Sequence, residues 1–437
     1  MHIDKTFWLG VIFIFCLLFR PPILPIDLLI PMTFISAYGI LREVLYKNID
    51  FKNFFLSQSI NKLVRLSALF AVLSFIGILI GILTESNYSI TSSLNAAAKL
   101  VWTFWLYPIN LIFLFIIFQK RNVQVNTILR MILYATMIQA VFAITSYLIP
   151  EIKNIFISIM QANNWSERWT DNNAAGQRMN GFAKSLFDTF GYGMGILSSV
   201  PFILSYRTNH LKYLLTLPFI FIAILVNART GLVIFTIVLL IFTILMMKHR
   251  RKFSGQSSIL AIIFILTIIP IGMHSIVTFM SSGSSFAMHT ENDINSYIEF
   301  IKTGGKDIGS YGGQADILFS DKFWTIPSQS PQLLFGMGLS VYGKDSPYDF
   351  KSDVGYINNI WYFGLVGLVS LHAIVFRHVR KVTRHHSYWR SFATIAIVSI
   401  LFFQIKGSAF WSANLGISAT ILLLAVCIYE QNLERKY

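Results

Sequence analysis

Two arginines, an aspartate and a polar turn are the residues whose type and position suit them to chemistry in this chain. Arg229 stands between two apolar runs, in VNARTGLVIF. A guanidinium keeps its charge and presents five donors in a rigid fork, which suits it to grip a phosphate. It can equally snorkel to lipid headgroups with no ligand at all. Thr230 can cap the helix that follows, and the N-terminus of that helix itself attracts anions. Arg178 stands in GQRMNGFAKSLFDTFGYGMG, where a polar stretch re-enters an apolar one. The neighbouring Gly181, Gly191, Gly193 and Gly195 permit close backbone approach or tight helix packing. Asp353 precedes Gly355, Tyr356, Asn358 and Asn359 at the mouth of a third apolar run. Polar groups there are costly against lipid. They are expected to face a wet cavity, with helix capping by Asp353 as the plainer alternative.

Other charged groups carry weaker signals. Asp27 lies among Pro21, Pro22, Pro25 and Pro31. An acid near a membrane span can mark a proton path; it can also cap helix amides or pair with a lysine. Glu291 and Asp293 form an acid-x-acid triplet, which a hard divalent cation would suit, but a solvated pair in an acidic loop is the simpler reading. Arg130 sits near the end of an apolar run and is expected to snorkel. Cys16 and Cys427 lie in apolar runs without a CxxC partner and read as small core residues.

The elements that must position these groups follow from composition. The chain has 437 residues, 55 % of them hydrophobic and 13 % charged, with a mean hydropathy of +0.61. A soluble domain carries roughly 25 % charged residues, so a water-soluble enzyme is excluded. Apolar runs near the ~20 residues needed to cross a bilayer recur from end to end. They predict an all-α polytopic membrane protein, a single domain over 1–437, with about twelve transmembrane helices. The expected spans are 7–19, 23–41, 64–83, 99–118, 127–149, 189–206, 211–227, 230–247, 256–273, 355–376, 388–405 and 412–429. The first is short, so eleven full crossings is the alternative count.

The net charge of +15 is then a topological signal rather than a sign of nucleic-acid binding. Lys and Arg crowd the segments 42–65, 120–121, 207–212, 248–252 and 377–390, and most acids fall on the other side. That asymmetry puts both termini in the cytoplasm. Two long loops then face outward, 150–188 and 274–354. The first opens with EIKNIFISIM, whose Ile152, Ile155, Phe156, Ile159 and Met160 follow helical spacing. It is expected to lie in the membrane interface with Trp165 and Trp169 as belt residues. No Walker A, HExxH, GxGxxG or GxSxG pattern is present. No internal repeat or pair of interrupted helices announces a transporter.

Taken in order, RMNG at 178–181 before a span, NARTGL at 227–232 opening a span, LFGMGL at 334–339 ending a large loop, and SDVGYINNIWYFGLVG at 352–367 resemble the O-antigen polymerase family, the Wzy-type polymerases. The O-antigen ligases share this architecture but resemble one another in a His near the end of the large loop. This chain has Asp353 there, and His274 and His289 lie far upstream. The resemblance therefore favours a polymerase, with a ligase or a lipid-linked sugar transporter or flippase as alternatives.

The resemblance implies a GT-C-like membrane glycosyltransferase in the bacterial inner membrane. It would transfer a growing glycan from undecaprenyl pyrophosphate onto the next lipid-linked repeat unit at the periplasmic face. Arg178 and Arg229 would stabilise the pyrophosphate leaving group, Asp353 would act as general base, and Tyr356 and Asn359 would contact substrate. No metal and no cofactor is expected, since the donor carries its own leaving group. The implied partners are undecaprenyl-pyrophosphate-linked oligosaccharides, membrane lipid and a chain-length regulator protein. Tyr342, Tyr348 and Trp411 are suited to stack on sugar faces or to anchor at the interface.

Overall fold

In the computed structural model of the chain, residues 5–46, 57–85, 105–163, 187–227, 229–249, 323–341, 354–407 and 414–434 are described, with the short pieces 88–91, 93–94, 97, 181–184 and 352. Every element among them is helical. Five helices are long and apolar enough to cross a membrane, Val125–Leu148, Gly231–Lys248, Gly355–Thr383, Ser387–Ile405 and Leu415–Glu434. Shorter apolar helices stand beside them, Lys5–Phe19, Ala71–Thr84, Tyr107–Lys120 and Leu211–Leu225. These are the features of a multi-pass membrane protein.

In chain order the helices are α1 Lys5–Phe19, α2 Leu29–Leu45, α3 Ser57–Thr84, α4 Tyr107–Lys120, α5 Val125–Leu148, α6 Pro150–Ala162, α7 Phe187–Leu197, α8 Ser199–Thr208, a 3₁₀ turn Leu211–Thr216, α9 Leu217–Leu225, α10 Arg229–Lys248, α11 Ser330–Phe335, α12 Gly355–Thr383, α13 Ser387–Lys406 and α14 Leu415–Glu434. The bundle has two ends. The upper end holds the starts of α7, α10 and α14 and the close of α1, α5 and α13. The lower end gathers Thr6, Lys120, Arg207, Tyr388 and Glu430.

The helices are cut where local chemistry requires. Pro150 ends α5, because the residue before a proline leaves the helical region; Ile149 is extended and α6 restarts at Pro150. Asn209 closes α8 in the left-handed conformation, at φ 57°. The apolar run from 23 becomes helical only at Leu29, since the prolines of 21–25 cannot donate to a helix ladder. The run from 189 is two helices, divided at Ser198, and the run from 211 begins as a 3₁₀ turn. The expected span 256–273 lies outside the described residues.

α2 shows which solvent the exterior suits. Phe34, Ile35 and Tyr38 are 73, 64 and 69 % exposed, while Thr33 and Ser36 are buried. Their hydroxyls meet Asn110 of α4, Ser36 Oγ donating to Asn110 Oδ1 at 2.7 Å and Asn110 Nδ2 donating to Thr33 Oγ1 at 2.8 Å. Large apolar groups outside and small hydrogen-bonded polar groups between helices is the pattern of helix packing in lipid.

α6 folds back over the upper end of α5, and Phe156 meets Phe142 edge-on at 5.7 Å. Its buried residues are Ile157 and Met160, while Ile155 turns outward at 56 % exposure. The inward face is thus set slightly round the helix from the one its periodicity suggests. Cys16 and Cys427 are both free thiols packed among apolar neighbours.

Candidate functional site

α7 is the hub of the upper end. Tyr192, Met194, Ile196 and Leu197 have no exposed surface. Its alternating glycines serve two neighbours. Gly191 and Gly195 lie one turn apart on the face against α10, where a Cβ on Gly231 would sit 2.6 Å from the Gly191 carbonyl oxygen. Gly193 faces α14, where its Cβ would meet the Leu415 side chain at 2.1 Å. A methyl at either place would push the helices apart, so the glycines of FGYGMG act as packing surfaces, one of the two roles their spacing suggests. Through them, the segment that follows RMNG touches the first turn of α10, the NARTGL segment.

α12 departs from the single crossing its sequence suggests. Gly364 takes φ 68°, ψ −177°, which breaks the helix in two. Tyr356 and His372 lie eight residues on either side of it. A straight helix would hold them about 24 Å apart, yet their rings stack at 5.9 Å. Residues 355–363 therefore fold back along 365–383 as a hairpin. The first arm rises along α13, Tyr356 Oη donating to the Leu401 carbonyl at 2.9 Å and Asn359 Nδ2 to Gln404 Oε1 at 3.3 Å.

Breaking a helix strands the carbonyls of its last turn. The LFGMGL segment answers them, with Met337 N–H donating to the Trp361 carbonyl at 2.8 Å and Gly338 N–H to the Tyr362 carbonyl at 3.1 Å. Tyr88 Oη fixes this strip by donating to the Met337 carbonyl at 2.6 Å. Met337, Leu339, Val341, Val354, Ile357, Ile360 and Trp361 form a small apolar core of their own. Two of the four segments that carried the resemblance are thus bonded backbone to backbone.

The hairpin reaches the hub through α13. Phe403 stacks on Tyr192 at 4.6 Å and 16°, and the Tyr192 ring lies over Gly416 of α14. This junction keeps polar atoms unanswered. Tyr192 Oη, Ser399 Oγ, Gln404 Nε2 and Asn358 Oδ1 are buried without a hydrogen-bond partner. Buried polar atoms are nearly always paired, so these four are exceptions, as are Gln119 Oε1 and Ser205 Oγ at the lower end.

A charged corner adjoins the hub. Asp27 Oδ1 accepts the Leu29 N–H at 3.0 Å, capping α2, while Oδ2 takes Arg20 Nη1 at 3.0 Å and Lys184 Nζ at 2.8 Å. Burial would raise the Asp27 carboxyl, but the two cations and the hydrogen bonds outweigh it and hold its pKa below the ordinary value. Of the two roles open to Asp27, the cap and lysine partner is the one its contacts show.

The expected site residues stand as follows. Arg229 is the first residue of α10, two positions before the Gly231–Gly191 contact; its side chain is outside the described residues, as are Arg178 and Asp353 entirely. Asn227, just before Arg229, is buried at 4 % exposure. Tyr356 is half-buried and engaged at both ring and hydroxyl. Asn359 has no exposed surface. Both side chains hold the hairpin to its neighbours in this arrangement. Glu291, Asp293, Trp165, Trp169, His274, His289, Tyr342, Tyr348 and Trp411 also lie outside the described residues. Arg130 is turned to Tyr213, its Nε donating to the phenol oxygen at 3.1 Å.

The lower end holds a second buried acid that the sequence did not single out. Glu430 of α14 is 4 % exposed. Tyr388 Oη donates to its Oε1 at 2.7 Å, Trp389 Nε1 to its Oε2 at 2.6 Å, and the Arg207 guanidinium pairs with it. His386, Glu430 and Glu434 bring potential metal-ligand atoms within 4.8 Å. The guanidinium against Glu430 opposes a cation there, and the group reads as a structural ion pair.

Comparison with protein-family models, with curated proteins and with solved structures finds no match for this chain.

Proposed function

We propose that this chain is a polytopic polysaccharide polymerase of the O-antigen polymerase kind, a GT-C-like membrane glycosyltransferase in the bacterial inner membrane. It has about twelve spans, cytoplasmic termini and the upper end facing the periplasm. It transfers a growing glycan from undecaprenyl pyrophosphate to the next lipid-linked repeat unit. The observation that carries the reading is the convergence at the upper end. The α7 segment that follows RMNG in sequence lies directly against the first turn of NARTGL, and the LFGMGL strip caps the broken SDVGYINNIWYFG helix. The two pairs are linked through α13, where Phe403 stacks on Tyr192 and Gln404 accepts from Asn359.

In this reading Arg229, with Arg178, offsets the charge that develops on the pyrophosphate as the glycosidic bond breaks. Asp353 removes the proton from the acceptor hydroxyl. Tyr356 and Asn359 hold the hairpin that begins at Gly355, two positions after Asp353 in sequence. Water exclusion comes from the apolar strip around Met337 and Trp361.

The test is a purified assay with lipid-linked repeat units in proteoliposomes. Lengthening of the glycan is expected, and Arg229→Lys, which keeps the charge but loses the fork, should lower the rate by about 10²–10³. A ligase would instead pass preformed polymer to an acceptor core without lengthening it. A flippase would move the lipid-linked unit across the bilayer without forming a bond. Full activity in Arg229→Lys would return that residue to interface anchoring.

A further inference from the structure

Residues 181–184 have no secondary structure of their own, yet they are held from three sides. Gly181 has φ +56°, and a Cβ there would lie 2.7 Å from the Ala143 amide nitrogen of α5. The Phe182 ring sits 5.8 Å from Phe142 and 5.1 Å from Phe156 of α6. Ala183 has no exposed surface. Lys184 closes the segment twice, through its N–H to the Phe19 carbonyl at 2.8 Å and through Nζ to Asp27 Oδ2 at 2.8 Å.

Apolar contacts would suffice to hold four residues in place. The charges need another reason, because taking ions out of water is costly and well-packed apolar groups of the same shape are often the more stable choice. Arg20 and Asp27 have side chains only 7 and 13 % exposed. What a charged, hydrogen-bonded triad supplies beyond packing is direction. Asp27 is itself oriented by the Leu29 amide and by Arg20, and Arg20 holds a left-handed backbone at φ 49°. Arg178 lies three residues before Gly181 in sequence. Three residues after Lys184, α7 begins.

We propose that Asp27 is a positioning residue for glycan transfer. Through Arg20 and Lys184 it latches residues 181–184 to the corner between α1 and α2, and so sets where the chain leads into α7, whose glycines pack on the first turn of α10. The proposal rests on the transfer reading above, but the latch can be measured without it.

The experiment uses the full chain in proteoliposomes, with Ala183→Cys as a reporter labelled by a membrane-impermeant maleimide. In the otherwise unchanged chain, labelling is expected to be slow. Asp27→Asn and Lys184→Gln should each raise the labelling rate at least tenfold, and the double variant should add little to either, as expected for partners in one contact. Asp27→Glu should restore slow labelling. In the transfer assay, Asp27→Asn without the reporter should lower kcat per folded molecule about 10- to 100-fold, as small misplacements do. KM for the lipid-linked acceptor should change less than twofold, and Asp27→Glu should recover most of the loss. A purely structural role would lower the amount of folded protein while leaving kcat unchanged. Unchanged labelling in Asp27→Asn would overturn the latch, and faster labelling with unchanged kcat would overturn the positioning role. If the unmodified chain does not lengthen glycan at all, the transfer reading fails and labelling still decides the latch.

Discussion

The Glu430 cluster of the lower end and the Tyr192 junction of the upper end treat buried polar groups in opposite ways. At the lower end, both oxygens of Glu430 are engaged, by Tyr388, Trp389 and Arg207, and Arg207 also reaches Asn126 Oδ1 through Nε at 2.7 Å. At the upper end, Tyr192, Ser399, Gln404 and Asn358 each bury an atom with no partner. All the positive-φ glycines among the described residues, Gly181, Gly336, Gly338 and Gly364, belong to upper-end segments. The lower end has left-handed residues of its own, Asn122 and Asn209, so what marks the lock is the saturated network around Glu430. Unanswered polar atoms beside irregular backbone are tolerated where a site must meet something else. On the proposed function, the contrast puts stability with Glu430 and chemistry at the Tyr192 junction, and it can be broken in four ways.

The largest effect is expected at the lock. Glu430→Gln leaves the Arg207 charge without its counter-ion, and breaking a buried pair from one side typically costs about 3–5 kcal/mol. Thermal unfolding in detergent should show a large drop in Tm, with transfer activity per folded molecule preserved. A variant that keeps its Tm and loses activity would move the chemistry to the lower end.

Next comes the hairpin bend. Gly364→Ala places a side chain at φ 68°, where the backbone alone costs about 1–3 kcal/mol, and its Cβ would lie 2.2 Å from the Leu334 carbonyl oxygen. The expected result is a moderate loss of Tm together with a disproportionate loss of transfer. Equal losses of the two would mean the hairpin is only scaffold.

A smaller effect follows from acid. Asp27 has its pKa lowered in the folded protein, so it contributes stability above the ordinary carboxylate value of 3.8 and loses it as pH falls through the folded value. The groups facing it are Arg20 and Lys184, with Tyr107 of α4 behind Arg20. The acid step is therefore assigned to Asp27, the one carboxylate of the group. Tm measured from pH 5 downward should fall below pH 3.8, and Asp27→Asn should flatten that slope. An identical slope in the variant would assign acid sensitivity to other carboxylates.

The smallest change in stability belongs to Tyr192→Phe. It removes a buried hydroxyl that has no partner, so Tm should stay level or rise slightly, since an unsatisfied group is a cost rather than a contribution. A loss of more than about 1 kcal/mol of stability would show that the hydroxyl is bonded after all, and the contrast between Tyr192 and Glu430 would fail.

Much of the helical framework was legible in the residues. Apolar runs near membrane length specify helices wherever the backbone must satisfy itself, and prolines at 21, 22 and 150 marked real breaks. The glycines of FGYGMG were readable as packing surfaces because a missing side chain has few other uses in a helix. The bend at Gly364 was not readable. The run around it is apolar on both sides, and a glycine in a helix with no fold-back looks the same in sequence. Asp27 was legible only as a choice between roles, because its partners Arg20 and Lys184 lie seven and 157 residues away.

The sequence by itself thus determined the class of element, since hydropathy and proline act locally on the chain in contact with its solvent. It also marked the segments RMNG, NARTGL, LFGMGL and SDVGY, because polar residues at the ends of apolar runs are conspicuous wherever they occur. Only the tertiary structure decided which of these touch. Contact between Gly191 and Gly231, or between Met337 and Trp361, depends on how helices far apart in sequence pack. Packing also separated Glu430 from Tyr192, two buried polar residues of similar appearance in sequence, one with every oxygen engaged and the other with a hydroxyl that nothing answers.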